Sequence, residues 1–258
     1  MVEHEGRQAG AEGDIAMAVV RVLALLDASR HSLAALSVAV RLAERQGAEL
    51  VAVYVEDQDL LHSVAFPFAR EVGGHSGQVR RLTAPQLEAS LARQAERVSQ
   101  ALELAVAGRR LRHSLQISRG RVIPEALSLA TPGDIMLLGK AGPAARFGAR
   151  LGTTSLGLIL SAPCPVVVWD EEGGPAAPGP LRVLVDPASG DAPSVPSPLS
   201  TLFDGTEPIP RRDAATLMRR LAVCRGGALL LHRDELRGLL AEDPDWLSRL
   251  AMPVVVVP

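Results

Sequence analysis

The sequence predicts an α/β protein: a doubly wound, parallel five-stranded sheet, then a truncated second α/β unit. Three observations predict it. Short aliphatic runs alternate with amphipathic helical periods between residues 20 and 170, the pattern of a parallel sheet with crossover helices. One run, Asp134-Ile-Met-Leu-Leu138, opens into a glycine-spaced loop, and open parallel sheets bind ligands at such strand ends. Three apolar phrases of this first stretch return, weakened, after residue 180.

Residues 1–18 read as a flexible N-terminus, polar and glycine-containing up to Asp14. Arg21 to Leu26 is the first buried strand. Ser32 to Gln46 is a helix with Leu36, Ala39, Val40 and Ala43 on one face, stopped by Gly47. Glu49 to Val55 is the second strand. Pro85 stands near the start of a long helix whose stripe is Leu87, Leu91, Ala95, Val98, Leu102 and Val106. Arg112 to Ile117 is the third strand and Ile123 to Ala130 a helix. The fourth strand, the glycine loop, a helix after Gly152 and the strand Pro165 to Trp169 complete the unit.

The segment from Glu56 to Thr83 is long for a connection. It reads either as a flap with an arginine reaching a ligand's phosphates, or as a surface excursion. In the second, preferred reading Phe66 and Phe68 cover the sheet edge and Arg70, Arg80 and Arg81 are solvated.

Composition excludes several classes. A formal charge of −2 gives no basic footprint for nucleic acid or an acidic membrane. No run reaches the roughly 18 apolar residues of a membrane span, and Glu3, Glu5 and Arg21 spoil a signal peptide. Cytoplasmic localisation is therefore expected. The six histidines are scattered, and Cys164 and Cys224 stand alone, which suits a reducing compartment and gives no metal site.

The glycine loop and the helix start behind it suit anion capture. Gly139 and Gly142 give the backbone freedom and let amides approach a ligand. Gly152 clears space at a helix start whose N–H groups and dipole favour phosphate, and Thr153 and Thr154 add hydroxyls there. Lys140, Arg146 and Arg150 add charge. The same residues also read as an ordinary turn with Thr153 as a plain helix cap.

The pattern Gly-x2-Gly-x9-Gly-Thr, followed by a helix and Cys164-Pro-Val-Val-Val-Trp169, resembles the ATP-binding branch of the universal stress protein family. Val22-Leu-Ala-Leu-Leu-Asp27-Ala-Ser29 is similar to that family's first strand and nucleotide-contacting aspartate, and Gly120 to Leu127 resembles the turn and helix before its fourth strand. The resemblance implies strand order 3-2-1-4-5, which sets Asp27 across a cleft from Gly139. It further implies an adenine nucleotide as ligand: ATP, or ADP or AMP, with magnesium a possible bridge between phosphates. Asp27 would contact ribose or base, Val55 would face adenine, and Leu25 and Leu138 would wall it. Gly139, Gly142, Gly152, Thr153 and Thr154 would hold the phosphates. Asp27 reads equally as a helix cap, and Leu25, Val55 and Leu138 as plain core.

The chain divides into a nucleotide-binding unit (19–170), a linker (171–180) and a degenerate half (181–258). Leu181 to Ser189 echoes Val20 to Ser29, Gly227 to Leu231 echoes Gly133 to Leu138, and Met252 to Val257 echoes Cys164 to Trp169. Pro187 to Pro210 reads as an irregular loop. After Leu231 the glycine pattern is absent, and Asp234 and Glu235 would repel a triphosphate. The half is expected to act as an internal pseudo-dimer partner. The resemblance, through family dimers that pair their last strands antiparallel, implies Val166–Trp169 against Val254–Val257, with Trp169 packing at that seam. A homodimer and an unknown protein partner remain open.

No Walker lysine pair and no kinase-like Asp-Asn set is present, so no catalytic residue is assigned and little or no ATP hydrolysis is expected. The expected function is nucleotide binding in stress-response regulation or protection. The alternatives are an interaction module that binds no nucleotide, and an enzyme that activates a substrate with one.

Overall fold

The computed structural model describes residues 21–73, 76–140, 151–169, 179–187, 190 and 192–258. The chain runs β1 (Arg21–Leu25), α1 (Arg30–Gln46), β2 (Glu49–Asp57), α2 (Gln58–Ser63), β3 (Arg70–Val72), β4 (Val79–Arg81), α3 (Ala84–Val106), β5 (His113–Gly120), α4 (Val122–Leu129), β6 (Ile135–Gly139), α5 (Thr153–Ser161) and β7 (Val166–Trp169). It continues with β8 (Leu181–Val185), α6 (Ser197–Ser200), β9 (Thr206–Pro210), α7 (Ala214–Ala222), β10 (Ala228–His232), α8 (Arg233–Glu242), α9 (Trp246–Arg249) and β11 (Val254–Val257).

One nine-stranded sheet organises these elements, in the order β5-β2-β1-β6-β7-β11-β10-β8-β9. Its first five strands, counted among themselves, stand 3-2-1-4-5. Every neighbouring pair is parallel except β7 and β11, where Val166, Val167 and Val168 lie antiparallel to Val256, Val255 and Val254. All eight residues of these two strands are buried, so the seam is a core pairing with no exposed edge.

Apolar side chains fill both faces. On one, α1 and α3 cover Val22, Ala24, Leu50, Ala52, Leu137 and Trp169, and the same cluster continues to Leu181, Val183, Leu230 and Val255. On the other, Leu23, Val53, Met136 and Val168 meet α4 and α5, continuous with Leu229, Leu231 and Trp246. Helix α1 starts at Ser29, whose hydroxyl accepts from the Ser32 amide, and ends at Gly47 with φ 61°, a left-handed stop that a β-carbon would disfavour.

The amino edge of the sheet is locked by charge. Asp134, wholly buried, accepts from Arg21 Nε and Nη2 at 3.1 and 2.8 Å and from the Thr131 amide and hydroxyl at 2.7 and 2.8 Å. Desolvation of this carboxylate is offset only because its lone pairs are taken. The hydrogen bond to Asp134 also raises the Arg21 pKa.

Two expectations need correction. Pro187 to Pro210 is not irregular throughout, since β9 pairs in parallel with β8. The Gly205 carbonyl accepts from the Leu181 amide and the Arg211 amide donates to Val185, so the odd residues of β9 face β8. Pro208 and Pro210 therefore lack only N–H groups that would point off the edge, where proline is tolerated and blocks further pairing. Phe66 and Phe68 do not cover the sheet edge. They stack on each other with centroids 5.4 Å apart and remain 55% and 74% exposed, because β3 and β4 form a separate two-stranded sheet.

Candidate functional site

The order of β1 and β6 in the sheet, with α4 and α5 on one side and α3 on the other, leaves a cleft at the carboxyl ends of the strands. Its volume is about 480 Å³, within the range of small-molecule sites, about 300–1,000 Å³. Of the residues singled out from sequence, Leu25, Asp27, Val55, Leu138, Gly139, Gly152 and Thr154 line it. Thr153, the first residue of α5, does not, and Gly142, Arg146 and Arg150 lie outside the described residues.

Asp27 comes two residues after β1. Its Oδ1 accepts from the Ser29 amide at 2.9 Å, and its own amide donates to Ser32 Oγ at 3.3 Å. Ala28 between them has φ 60°, an uncommon conformation for a residue with a β-carbon. The cap of α1 is Ser29, so Asp27 shapes the turn and lines the cleft while Ser29 closes the helix. The tight turn explains why the aspartate faces the cleft so soon after the strand.

Gly139 is required for a reason other than loop freedom. A β-carbon there would sit 2.6 Å from the backbone of His31 and Ser32, so β6 can end against the first turn of α1 only without a side chain. Gly152 differs: a β-carbon there would meet nothing within 4 Å. It caps α5 without a side-chain hydrogen bond, contrary to the capping role expected of Thr153. Among the described residues no side chain caps the first turn of α5, whose Thr154 and Ser155 stand in the cleft wall.

Lys140 also departs from expectation. It is buried and donates Nζ to the Leu250 carbonyl, and its amide donates to Trp169 at 2.8 Å. The charge expected of Lys140 in the loop is turned to the carboxy-terminal half. No lysine, arginine or histidine lines the cleft among the described residues, and none offers a group of three or more His, Cys, Asp or Glu for a metal.

Sequence reasoning missed Leu26, Val53, Tyr54, Asp57, Leu60, Leu91, Gln94, Val122, Ser155 and Leu158 as cleft residues. Asp57 and Leu60 come from the long segment after the second strand, whose arginines do not reach the cleft. Tyr54 is buried and donates its hydroxyl to Gln94 Oε1 at 3.1 Å. Burial, and then the charges of Glu56 and Asp27, push its phenol up to about 12. One signal was available for Gln94, the polar member of the spacing Leu87, Leu91, Gln94, Val98, Leu102.

Comparison with known proteins bears on these features. Residues 19–169 match the model of the universal stress protein family. Universal stress protein Mb2019 of Mycobacterium bovis and Rv1996 of Mycobacterium tuberculosis are each 34% identical over 94 residues, 35% of this chain and 30% of theirs. The chain thus spans about a third of the curated relatives it matches. Among solved structures, a universal stress protein from Archaeoglobus fulgidus matches over 92% of this chain and 97% of its own, with TM-score 0.56 and 12% identity. Protein PA1789 from Pseudomonas aeruginosa does so over 95% and 94%, with TM-score 0.55 and 12% identity. These two support the fold across both halves of the sheet.

Proposed function

From the premise that the chain belongs to the universal stress protein family, we propose that it binds an adenine nucleotide, ATP foremost, in the cleft at the ends of β1 and β6. The observation that carries this reading is a single wall shared by a carboxylate, an aliphatic floor and the uncapped amides of α5. Asp27 accepts from ribose or base, Leu25, Val55 and Leu138 flank the ring, and the helix start at Gly152 and Thr154 takes the phosphates, helped by the dipole. Binding with little or no turnover is part of this proposal, because the sequence carries no Walker lysine pair and no kinase-like Asp-Asn set to stabilise charge at the γ-phosphate. The protein would then act as a nucleotide-dependent regulatory or protective factor of the cytoplasm, with any magnesium held chiefly through the phosphates.

Residues 181–258 are read as a shortened second copy of the unit, after a linker at 171–180. The order β11-β10-β8-β9 repeats β7-β6-β1-β2 across the antiparallel seam, which supports an internal partner for the first unit. A second reading, an interaction module without nucleotide, is favoured by the exposed Phe66, Phe68, Val72 and Val79. Mass spectrometry of what co-purifies separates the two. For the site itself, Gly152→Val fills open space and should cost at most about 1 kcal/mol of stability, yet lower ATP affinity at least about tenfold in calorimetry, a change of about 1.4 kcal/mol. Unchanged affinity in that variant would refute the site.

A further inference from the structure

The buried stripe of α3 is broken at one place. Leu87, Leu91, Val98 and Leu102 are buried, and Gln94 stands at the core-facing spacing between them, half-buried in the cleft wall. A polar residue on an apolar stripe is destabilising unless its groups are satisfied. Here only half of the amide is: Oε1 takes the Tyr54 hydroxyl. With the Tyr54 hydroxyl donating to Oε1, the carbonyl end of the amide faces Tyr54. The Nε2 end has no partner among the described residues and is left as a donor lining the cleft. Asp27 lies in the same lining, with one oxygen engaged by Ser29. Asp27, Tyr54 and Gln94 thus share one cleft lining.

We propose that Gln94, oriented by Tyr54, is a specificity-determining residue that donates to a ribose hydroxyl while Asp27 accepts from the sugar, so that the cleft selects ribonucleotides over deoxyribonucleotides. The inference rests on the nucleotide reading above. A vicinal diol offers donor and acceptor side by side, as an adenine edge also does, and the cleft lining holds an acceptor in Asp27 and a donor in Gln94 to match it; the deoxy analogues read the diol alone. Preorganisation matters: an amide already held by Tyr54 loses little freedom when it engages the ligand.

The test is calorimetric binding of ATP, 2′-deoxy-ATP and 3′-deoxy-ATP to ligand-free wild type, Gln94→Leu, Tyr54→Phe and the double variant, with thermal melts alongside. Wild type should bind ATP about tenfold more tightly than at least one deoxy analogue, the effect of one hydrogen bond. In Gln94→Leu, ATP should weaken to the level of that analogue, which itself changes little. Tyr54→Phe should fall between, because the amide keeps its N–H groups and loses its anchor. If Gln94 only satisfies Tyr54, Gln94→Leu lowers the melting temperature, the double variant restores it, and ATP and its analogues shift equally; that pattern overturns the proposal. Equal affinity of wild type for all three nucleotides overturns it too, while leaving the binding site standing. A wild type that binds none of them removes the nucleotide reading and this inference together.

Discussion

Two strand-to-helix junctions of this chain occupy matching places in the sheet and have different forms. After β6, residues 140–152 intervene before α5 begins behind Gly152. After β10, α8 begins at once, capped from His232, with Glu235 accepting the His232 amide at 3.2 Å and Asp234 paired to Arg237 at 2.7 Å. Among the described residues no side chain caps the start of α5 beside the cleft, whereas at the second junction Glu235 accepts the N-cap amide of its own helix. The glycines differ for the same reason. Gly139 ends against α1, but no long helix follows β8, and the matching strand ends in Leu231 and His232 without needing a glycine. Whether a cleft opens at a strand end is a consequence of what packs above it.

The arginines that open the two halves extend the comparison. Arg21 meets a wholly buried Asp134, whereas Arg182 donates to the Gly226 carbonyl at 2.9 Å and lies 3.3 Å from Glu207, whose side chain is 46% exposed. Removing one partner of a buried pair strands the other. Asp134→Ala should therefore cost about 3–5 kcal/mol in urea unfolding. Glu207→Gln should cost less, because the lost carboxylate is half-exposed and the buried Arg182 keeps the Gly226 carbonyl. Equal losses would mean the two arginines play one role. A second, smaller contrast concerns the glycines: Gly139→Ala drives a β-carbon into the α1 backbone and should cost about 1–3 kcal/mol, while Gly152→Val stays near wild-type stability. The same denaturation curves check both.

Much of this was legible in the sequence, and the physics says why. The strands around Leu23, Val51 and Leu137 are buried on both faces and so appear as unbroken aliphatic runs. The stripe of α3 could be read because its buried residues recur at helical spacing. Asp27, Gly152 and Thr154 were legible through their place after a strand or before a helix. Long-range partners were not. Nothing local in Lys140 tells that it reaches Leu250, or in Gln94 that Tyr54 holds it, because such contacts depend on elements distant in the chain. The strand Thr206–Pro210 was hidden by its prolines, which are compatible with pairing only because β8 lies on one side of it.

The two cysteines compare the halves chemically. Cys164 is buried, and burial, with Asp134 nearby, pushes its thiol up to about 12 from 9.0. Cys224 is partly exposed. At pH 8 a disulfide reagent should modify Cys224 readily and Cys164 only as fast as the protein opens, which the variant Cys224→Ser isolates. A raised acid pKa in the fold means the native state holds a proton that the unfolded chain releases. Stability should therefore fall as pH rises from about 9, the unfolded value, towards about 12. Rapid labelling of Cys164 in native buffer would show its strand to be loosely held.

The smallest expected effect belongs to the junction between β10 and α8. Desolvation raises the Glu235 pKa above its ordinary 4.5, with the His232 amide opposing the shift. The native state then holds the proton to higher pH than the unfolded chain does, so stability falls as pH rises from 4.5 through the native value and is level above it. Glu235→Gln should remove that slope, since an amide oxygen can still accept from His232 and carries no charge to desolvate. Melting temperatures of wild type and variant across the acid range check this. If the slope persists in the variant, the helix start at Arg233 gains nothing from being self-capped by a buried carboxylate, and the contrast with the open start at Thr153 rests on shape alone.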